Sequence, residues 1–208
     1  MASQFMETSK SLKIFIVEDE LIIAESLKLI IKNLGHLCVG SANSILVAER
    51  AIREGGLDLI LLDINLNGKN EGIELGKLCH KKGVPFLYIT SYSDRDTVMA
   101  AKETKPGGYL NKPFTPQDIM IGIEMATINH SEENAELLER AVSHLDLSDR
   151  EMEVLKCFNS RLLTTEIANE LFISVHTVKY HLKNLYSKFE VTSRTDLLEK
   201  LQALTETA

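Results

Sequence analysis

Leu57-Asp58-Leu59-Ile60-Leu61-Leu62-Asp63 is the most apolar of the short runs in this 208-residue chain, and it ends on a carboxylate. Leu57 to Leu62 reads as one strand of a parallel sheet, with Asp63 just after it, because longer amphipathic stretches flank the run on both sides. Working outward, Lys13 to Val17, Leu37 to Ser41, Pro85 to Thr90 and Gly108 to Leu110 supply four more strands. Helical stretches alternate with them near 21–33, 44–54, 72–81 and 94–104. A fifth helix opens at Thr115, where Thr-Pro-Gln-Asp puts a capping hydroxyl, a first-turn proline and an acid in order. Right-handed crossovers then predict an α/β sandwich, a doubly wound five-stranded parallel sheet over residues 12–126, after a flexible N-terminus over 1–11.

Beyond this region the pattern changes. Residues 127–146 are polar and acidic, yet Leu137, Leu138, Ala141 and Val142 recur at helical spacing, so they read as a partly helical linker. Over 147–208 no strand pattern survives. Ser148-Asp149-Arg150-Glu151 forms a capping box opening an amphipathic helix, and three more helices are expected near 165–171, 175–189 and 194–203. The second domain is therefore a small all-α, four-helix unit.

Composition bounds the chemistry. The formal net charge of −7 supplies no global field toward nucleic acid or anionic lipid, leaving only a local basic face. The three cysteines, Cys38, Cys79 and Cys157, are far apart and read as reduced thiols. Met1 to Ser11 lack the apolar core of a signal peptide, and no apolar run reaches the ~18 residues of a membrane span. A cytoplasmic protein with no membrane partner is expected.

Ligands of an open α/β sheet bind beyond the carboxyl ends of its strands. The first strand ends in Glu18-Asp19, the third in Asp63, the fourth in Thr90-Ser91, and the fifth runs into Asn111-Lys112-Pro113. Taken singly, an acid at a strand end is more often a helix cap or a solvated charge. Three carboxylates converging on one crevice repel one another, and a hard divalent cation such as Mg²⁺ relieves that repulsion. A carboxylate beside Mg²⁺, with a lysine and a hydroxyl opposite, suits phosphoryl transfer, and Asp63 is the natural nucleophile.

Through Val17-Glu18-Asp19-Glu20, Leu62-Asp63, Ile89-Thr90-Ser91 and Gly108-Tyr109-Leu110-Asn111-Lys112-Pro113-Phe114, residues 12 to 125 resemble a bacterial response-regulator receiver domain of flavodoxin-like fold. The resemblance implies that Asp63 accepts phosphate from a sensor histidine kinase. Glu18, Asp19, Asp63 and the backbone carbonyl of Asn65 would hold Mg²⁺. Thr90 would move to bond the phosphoryl oxygen, Lys112 would pair with it, Tyr109 would swing inward as a switch, and the Lys112-Pro113 bond would be cis. Two features depart from the family pattern. Glu18 replaces the commoner aspartate, and the loop Ile-Asn-Leu-Asn-Gly-Lys-Asn-Glu-Gly after Asp63 lacks Met-Pro and carries one extra residue before Gly72.

In the second domain, Phe172-Ile173-Ser174 separates two helices with the spacing of a helix-turn-helix. Val178, Leu182, Leu185 and Phe189 form the buried face of the second helix. His176, Thr177, Lys179, Tyr180, Lys183, Asn184 and Lys188 lie on its other faces, the donors that a major groove and its phosphates require. A solvated lysine face is the plainer reading, but Leu171 to Lys188 hold three lysines and no acid. Residues 147 to 203 resemble the NarL/LuxR family of DNA-binding domains. That resemblance implies that Lys179, Tyr180 and Lys183 face bases or phosphates, while Thr177 and His181 position the helix. The usual glycine before the second helix is missing, and Thr165 stands where a phosphate-binding lysine is common.

Together the resemblances imply a phosphorylation-activated transcription regulator rather than an enzyme. It would form a homodimer when phosphorylated, bind promoter DNA at half-sites about one helical turn apart, and engage RNA polymerase. A metal-dependent phosphoaspartate hydrolase would require an acid or base two residues after Asp63, where Asn65 stands. An orphan regulator working without phosphorylation predicts a damaged pocket, and the pocket residues of this sequence are intact.

Overall fold

The computed structural model describes residues 11–91 and 95–207. The flexible arm expected over 1–11 lies, Ser11 apart, outside the described residues. The chain divides into two compact units, Met1–His130 and Ser131–Ala208.

In the first unit β1 (Lys13–Val17), β2 (Leu37–Ala42), β3 (Leu59–Asp63), β4 (Phe86–Thr90) and β5 (Gly108–Asn111) lie parallel in the order β2-β1-β3-β4-β5. They alternate with α1 (Leu21–Asn33), α2 (Ile45–Glu54), α3 (Glu71–Lys82) and α4 (Arg95–Lys102), and α5 (Pro116–Ala141) follows. Successive strand residues point to opposite faces, so each strand feeds two cores. Ile14, Ile16, Leu59 and Leu61 pack with Leu27 and Ile31 of α1 and Ile119 and Ile123 of α5. Phe15, Val17, Ile60 and Leu62 pack on the other face with Ile52 of α2 and Leu75 and Cys79 of α3. Every residue of β3 is buried, as its unbroken apolar run requires.

Among the boundaries that differ from the sequence expectation, two have a local reason. β3 starts at Leu59 because Asp58 is occupied in clamping the start of β1: its carboxylate accepts from Lys13 N at 2.7 Å and its own N–H donates to Lys13 O at 2.9 Å. α5 continues without a break to Ala141, through most of the stretch read as a partly helical linker, since no proline follows Pro116 and Leu138 is buried. Gly122 sits inside this helix because a Cβ there would meet Leu87 Cδ2 at 2.8 Å.

The second unit consists of the last part of α5 with α6 (Asp149–Asn159), α7 (Thr164–Glu170), α8 (Val175–Lys188) and α9 (Arg194–Thr207). Leu138, Val142, Leu155, Phe158, Ile167, Val178, Leu182, Leu185, Phe189, Leu197 and Leu201 form its core. The expected capping box at Ser148 and Glu151 is present, and Ser174 Oγ accepts from Thr177 N at 3.0 Å to cap α8.

Three helices of this unit end alike. Arg161, Phe172 and Glu190 take φ of 64°, 52° and 53° just past α6, α7 and α8. In each case the following N–H reaches back five residues, as in Leu162 N to Cys157 O, Ile173 N to Ala168 O and Val191 N to Tyr186 O. These are Schellman ends, which favour glycine because a Cβ in the left-handed region costs ~1–2 kcal/mol. Phe172 is 95% exposed, so its side chain contributes little burial to offset that strain. Phe172→Gly is expected to stabilise the second unit by ~0.5–1 kcal/mol in urea unfolding, whereas Phe172→Ala, which keeps the Cβ, leaves stability near wild type.

Candidate functional sites

Register assembles the acidic pocket. Val17 pairs with Leu62 and Thr90 with Asn111, so Glu18 and Asp63 emerge side by side and Lys112 emerges beside Thr90, whose carbonyl accepts from Lys112 N at 2.8 Å. The Lys112-Pro113 peptide is cis. Lys112 Nζ donates to Asp63 Oδ2 at 2.7 Å and to Glu18 Oε1 at 3.0 Å, lies 2.8 Å from Glu18 Oε2, and has Glu20 at 3.8 Å. The other Asp63 oxygen accepts from Asn65 N at 2.9 Å. Glu18, Asp19 and Asp63 each offer a carboxylate oxygen within 4.8 Å of the others.

The electrostatics show an excess of negative charge. Burial pushes the Glu18 carboxyl up to about 7; the bond from Lys112 opposes this and the neighbouring Asp63 charge adds to it. Burial by itself would lower the Lys112 ammonium, but its bonds to Asp63 and Glu18 outweigh that and hold it above its ordinary value. One ammonium among three carboxylates leaves room for a hard cation, and an all-oxygen donor set suits Mg²⁺.

Thr90 is buried, with its hydroxyl donating to Ser91 O at 2.7 Å. Tyr109 is 40% exposed and its ring stacks on that of Tyr88, its register partner on β4, at 5.6 Å between centroids. The Tyr88 hydroxyl is bonded to Thr104 at 3.0 Å. Gly72 has no room for a side chain, since a Cβ would stand 2.0 Å from Asp63 O.

The loop that departs from the family pattern folds into a small hairpin. Lys69 N donates to Leu66 O at 3.0 Å around Asn67 and Gly68, whose φ values of 52° and 75° are those of a type I′ turn. Asn67 N donates to Asp19 Oδ2 at 2.9 Å. The Asn-Gly pair is a turn signal legible in the sequence; its contact with Asp19, 48 residues away, is not.

On α8, His176, Lys179, Tyr180 and Lys183 are exposed, and their spacing at i, i+3, i+4 and i+7 puts them on one face. Tyr180 is 59% exposed. Thr177, His181 and Asn184 are half-buried, Thr177 sharing a hydroxyl contact of 2.8 Å with Ser174. Lys188, expected to face phosphate, is turned to its own unit: its ammonium bonds Glu151 Oε2 at 2.7 Å and also Asp146 O. It holds the capping-box acid in place.

A parallel β2-β1-β3-β4-β5 sheet with an acid cluster and a strand-end lysine, followed by a helix-turn-helix, defines a receiver coupled to a DNA-binding domain. Residues 14–124 match the model of the response regulator receiver domain, and residues 145–201 match that of the bacterial regulatory proteins of the luxR family. The chain belongs to the LuxR-type transcriptional response regulators of two-component systems. It is 30% identical to the response regulator protein TmoT of Ectopseudomonas mendocina, over 98% of this chain and 94% of that one. It is 31% identical to the transcriptional regulatory protein LiaR of Bacillus subtilis, over 76% and 80% respectively. Among solved structures, the signal receiver domain of a modulated diguanylate cyclase from Desulfovibrio desulfuricans superposes with a TM-score of 0.56 at 31% identity, covering 59% of this chain and 98% of that domain. A receiver joined to a luxR-family domain, in a chain similar over 98% of its length to a response regulator, does not fit the hydrolase alternative. No described helix is long and apolar enough to cross a membrane.

The Glu151–Lys188 pair carries a pH signature. Burial alone would raise the Glu151 carboxyl, but donors from Lys188 and Ser148 outweigh it and hold it at about 2, below its ordinary 4.5. A carboxyl depressed in the folded state contributes stability above its unfolded value and loses it as pH falls toward the folded one. The wild-type chain is therefore expected to lose helix stability between about pH 4.5 and 2 more steeply than Glu151→Gln, which starts less stable at pH 7. Urea midpoints followed by circular dichroism at several pH values check this.

Proposed function

We propose that Asp63 accepts a phosphoryl group from the phosphohistidine of a sensor kinase with the help of Mg²⁺, and that the modified receiver switches promoter binding by α8. The observation that carries the reading is the Lys112 ammonium held at 2.7 Å from Asp63 at the mouth of a three-carboxylate pocket. Mg²⁺, held by Glu18, Asp19, Asp63 and the carbonyl of Asn65, would supply charge neutralisation to the phosphoryl oxygens. Asp63 attacks phosphorus as the bond to the imidazole nitrogen breaks, and the imidazole keeps the electron pair and takes up a proton. Lys112, already bonded to Oδ2, then pairs with a phosphoryl oxygen, and Asn65 N stays directed at the carboxyl end of the new acyl phosphate.

Thr90 turns its hydroxyl from Ser91 O to the phosphoryl group, and Tyr109 follows into the space it leaves. The exposed apolar side chains Val98 and Met99 of α4 and Ile121 and Met125 of α5 then supply contacts for a second phosphorylated copy. The dimer presents two α8 helices to half-sites about one turn apart, with Lys179, Tyr180 and Lys183 at bases and phosphates and His176 at the rim. Promoter DNA and RNA polymerase place this work in the cytoplasm.

Incubation with a small phosphoryl donor and Mg²⁺ is expected to add one phosphoryl group to the intact mass of the wild-type chain and none to Asp63→Asn. On a genomic fragment that the wild-type chain retains, Lys179→Ala and Lys183→Ala are each expected to weaken binding. A lysine that meets a phosphate lowers the slope of log affinity against log salt by about 1 when removed, whereas one that reads a base changes sequence preference instead. Lys188→Ala is expected to lower stability more than it alters the salt slope.

A further inference from the structure

Three loops leave the carboxyl edge of the sheet at β1, β2 and β3, and one residue bonds to both of the others from its place in the third. Asn67 N donates to Asp19 Oδ2 at 2.9 Å, beyond β1, and Asn67 Nδ2 donates to Asn43 O at 3.3 Å, beyond β2. Asn67 itself sits in the turn that follows β3, anchored by the fully buried Leu66. We propose that Asn67 is a positioning residue for the divalent cation of the acidic pocket: its backbone N–H holds the Asp19 carboxylate, and its side chain moors the turn that carries that N–H. The inference rests on the receiver reading above.

The physical need is plain. Asp19 is half-buried and stands beside Glu18 and Asp63, so mutual repulsion disfavours its carboxylate's place in the pocket when no cation is present. A donor on one oxygen opposes that drift and lowers the ordering cost when the cation arrives. Asparagine suits the position on two counts: it tolerates the φ of 52°, and its amide supplies the donor to Asn43 O. Gly68, at φ 75°, completes the turn.

Isothermal titration of the full-length, unphosphorylated chain with MgCl₂ tests the proposal without any phosphoryl transfer. Asn67→Gly keeps the positive φ and the N–H but removes the mooring. Its Mg²⁺ dissociation constant is expected to rise roughly tenfold with the metal-free melting point close to wild type. Gly68→Val, which disfavours the turn itself, is expected to weaken Mg²⁺ at least as much; should it fail to fold, Asn67→Gly carries the test alone. An Asn67→Gly dissociation constant within twofold of wild type overturns the proposal and leaves the receiver reading standing. A loss of affinity matched by a collapsed metal-free melting point also overturns it, since the role would then be structural. A wild-type chain that takes up no Mg²⁺ at millimolar concentration overturns both.

Discussion

Lys112 is the side chain around which the first unit is arranged. Its side chain is only 10% exposed, and its ammonium bonds Asp63 and Glu18 together, two carboxylates that would otherwise repel each other at the edge of a parallel sheet. Removing a buried cation from such a pair leaves uncompensated charge, which is strongly unfavourable. The same ammonium lies at the carboxylate that the proposed phosphorylation would modify, so the interaction that stabilises the resting pocket would also be available to the modified state.

The backbone delivers that arrangement through register. β1, β3, β4 and β5 stop at nearly the same level, and residues just past each stop meet because neighbouring parallel strands hold them in step. The requirement propagates to Gly72, where the start of α3 passes too close to Asp63 O for any side chain, and to Tyr88, whose ring lies against Tyr109. The second unit solves a different problem. Its helices must turn sharply to close one small core, and three of those turns use left-handed residues that are not glycine, stabilised by a bond from the following N–H to a carbonyl of the preceding helix.

Local patterns in the chain announced much of this. The apolar runs marked all five strands, the Ser148 and Ser174 caps marked helix starts, and the spacing of Val178, Leu182, Leu185 and Phe189 marked the buried side of α8. Lys188 shows where such reading stops. Its position on α8 suits a phosphate contact, but a partner 37 residues earlier, Glu151, takes its ammonium. Asp58 is a similar case, a residue that reads as strand yet serves as a clamp for Lys13.

Sequence by itself determined the order of elements, the parallel sheet, the helix-turn-helix and the acids, lysine and hydroxyl of the pocket, because periodicity, capping and turn chemistry act over a few residues. Only the tertiary structure decided which charges meet. That Lys112 bridges Glu18 and Asp63, that Asn67 holds Asp19, and that Leu138 packs with Leu155 and Leu201 in the second unit's core all depend on groups brought together from distant parts of the chain. Desolvation and charge pairing act through space, and no short-range pattern encodes the distance between such partners.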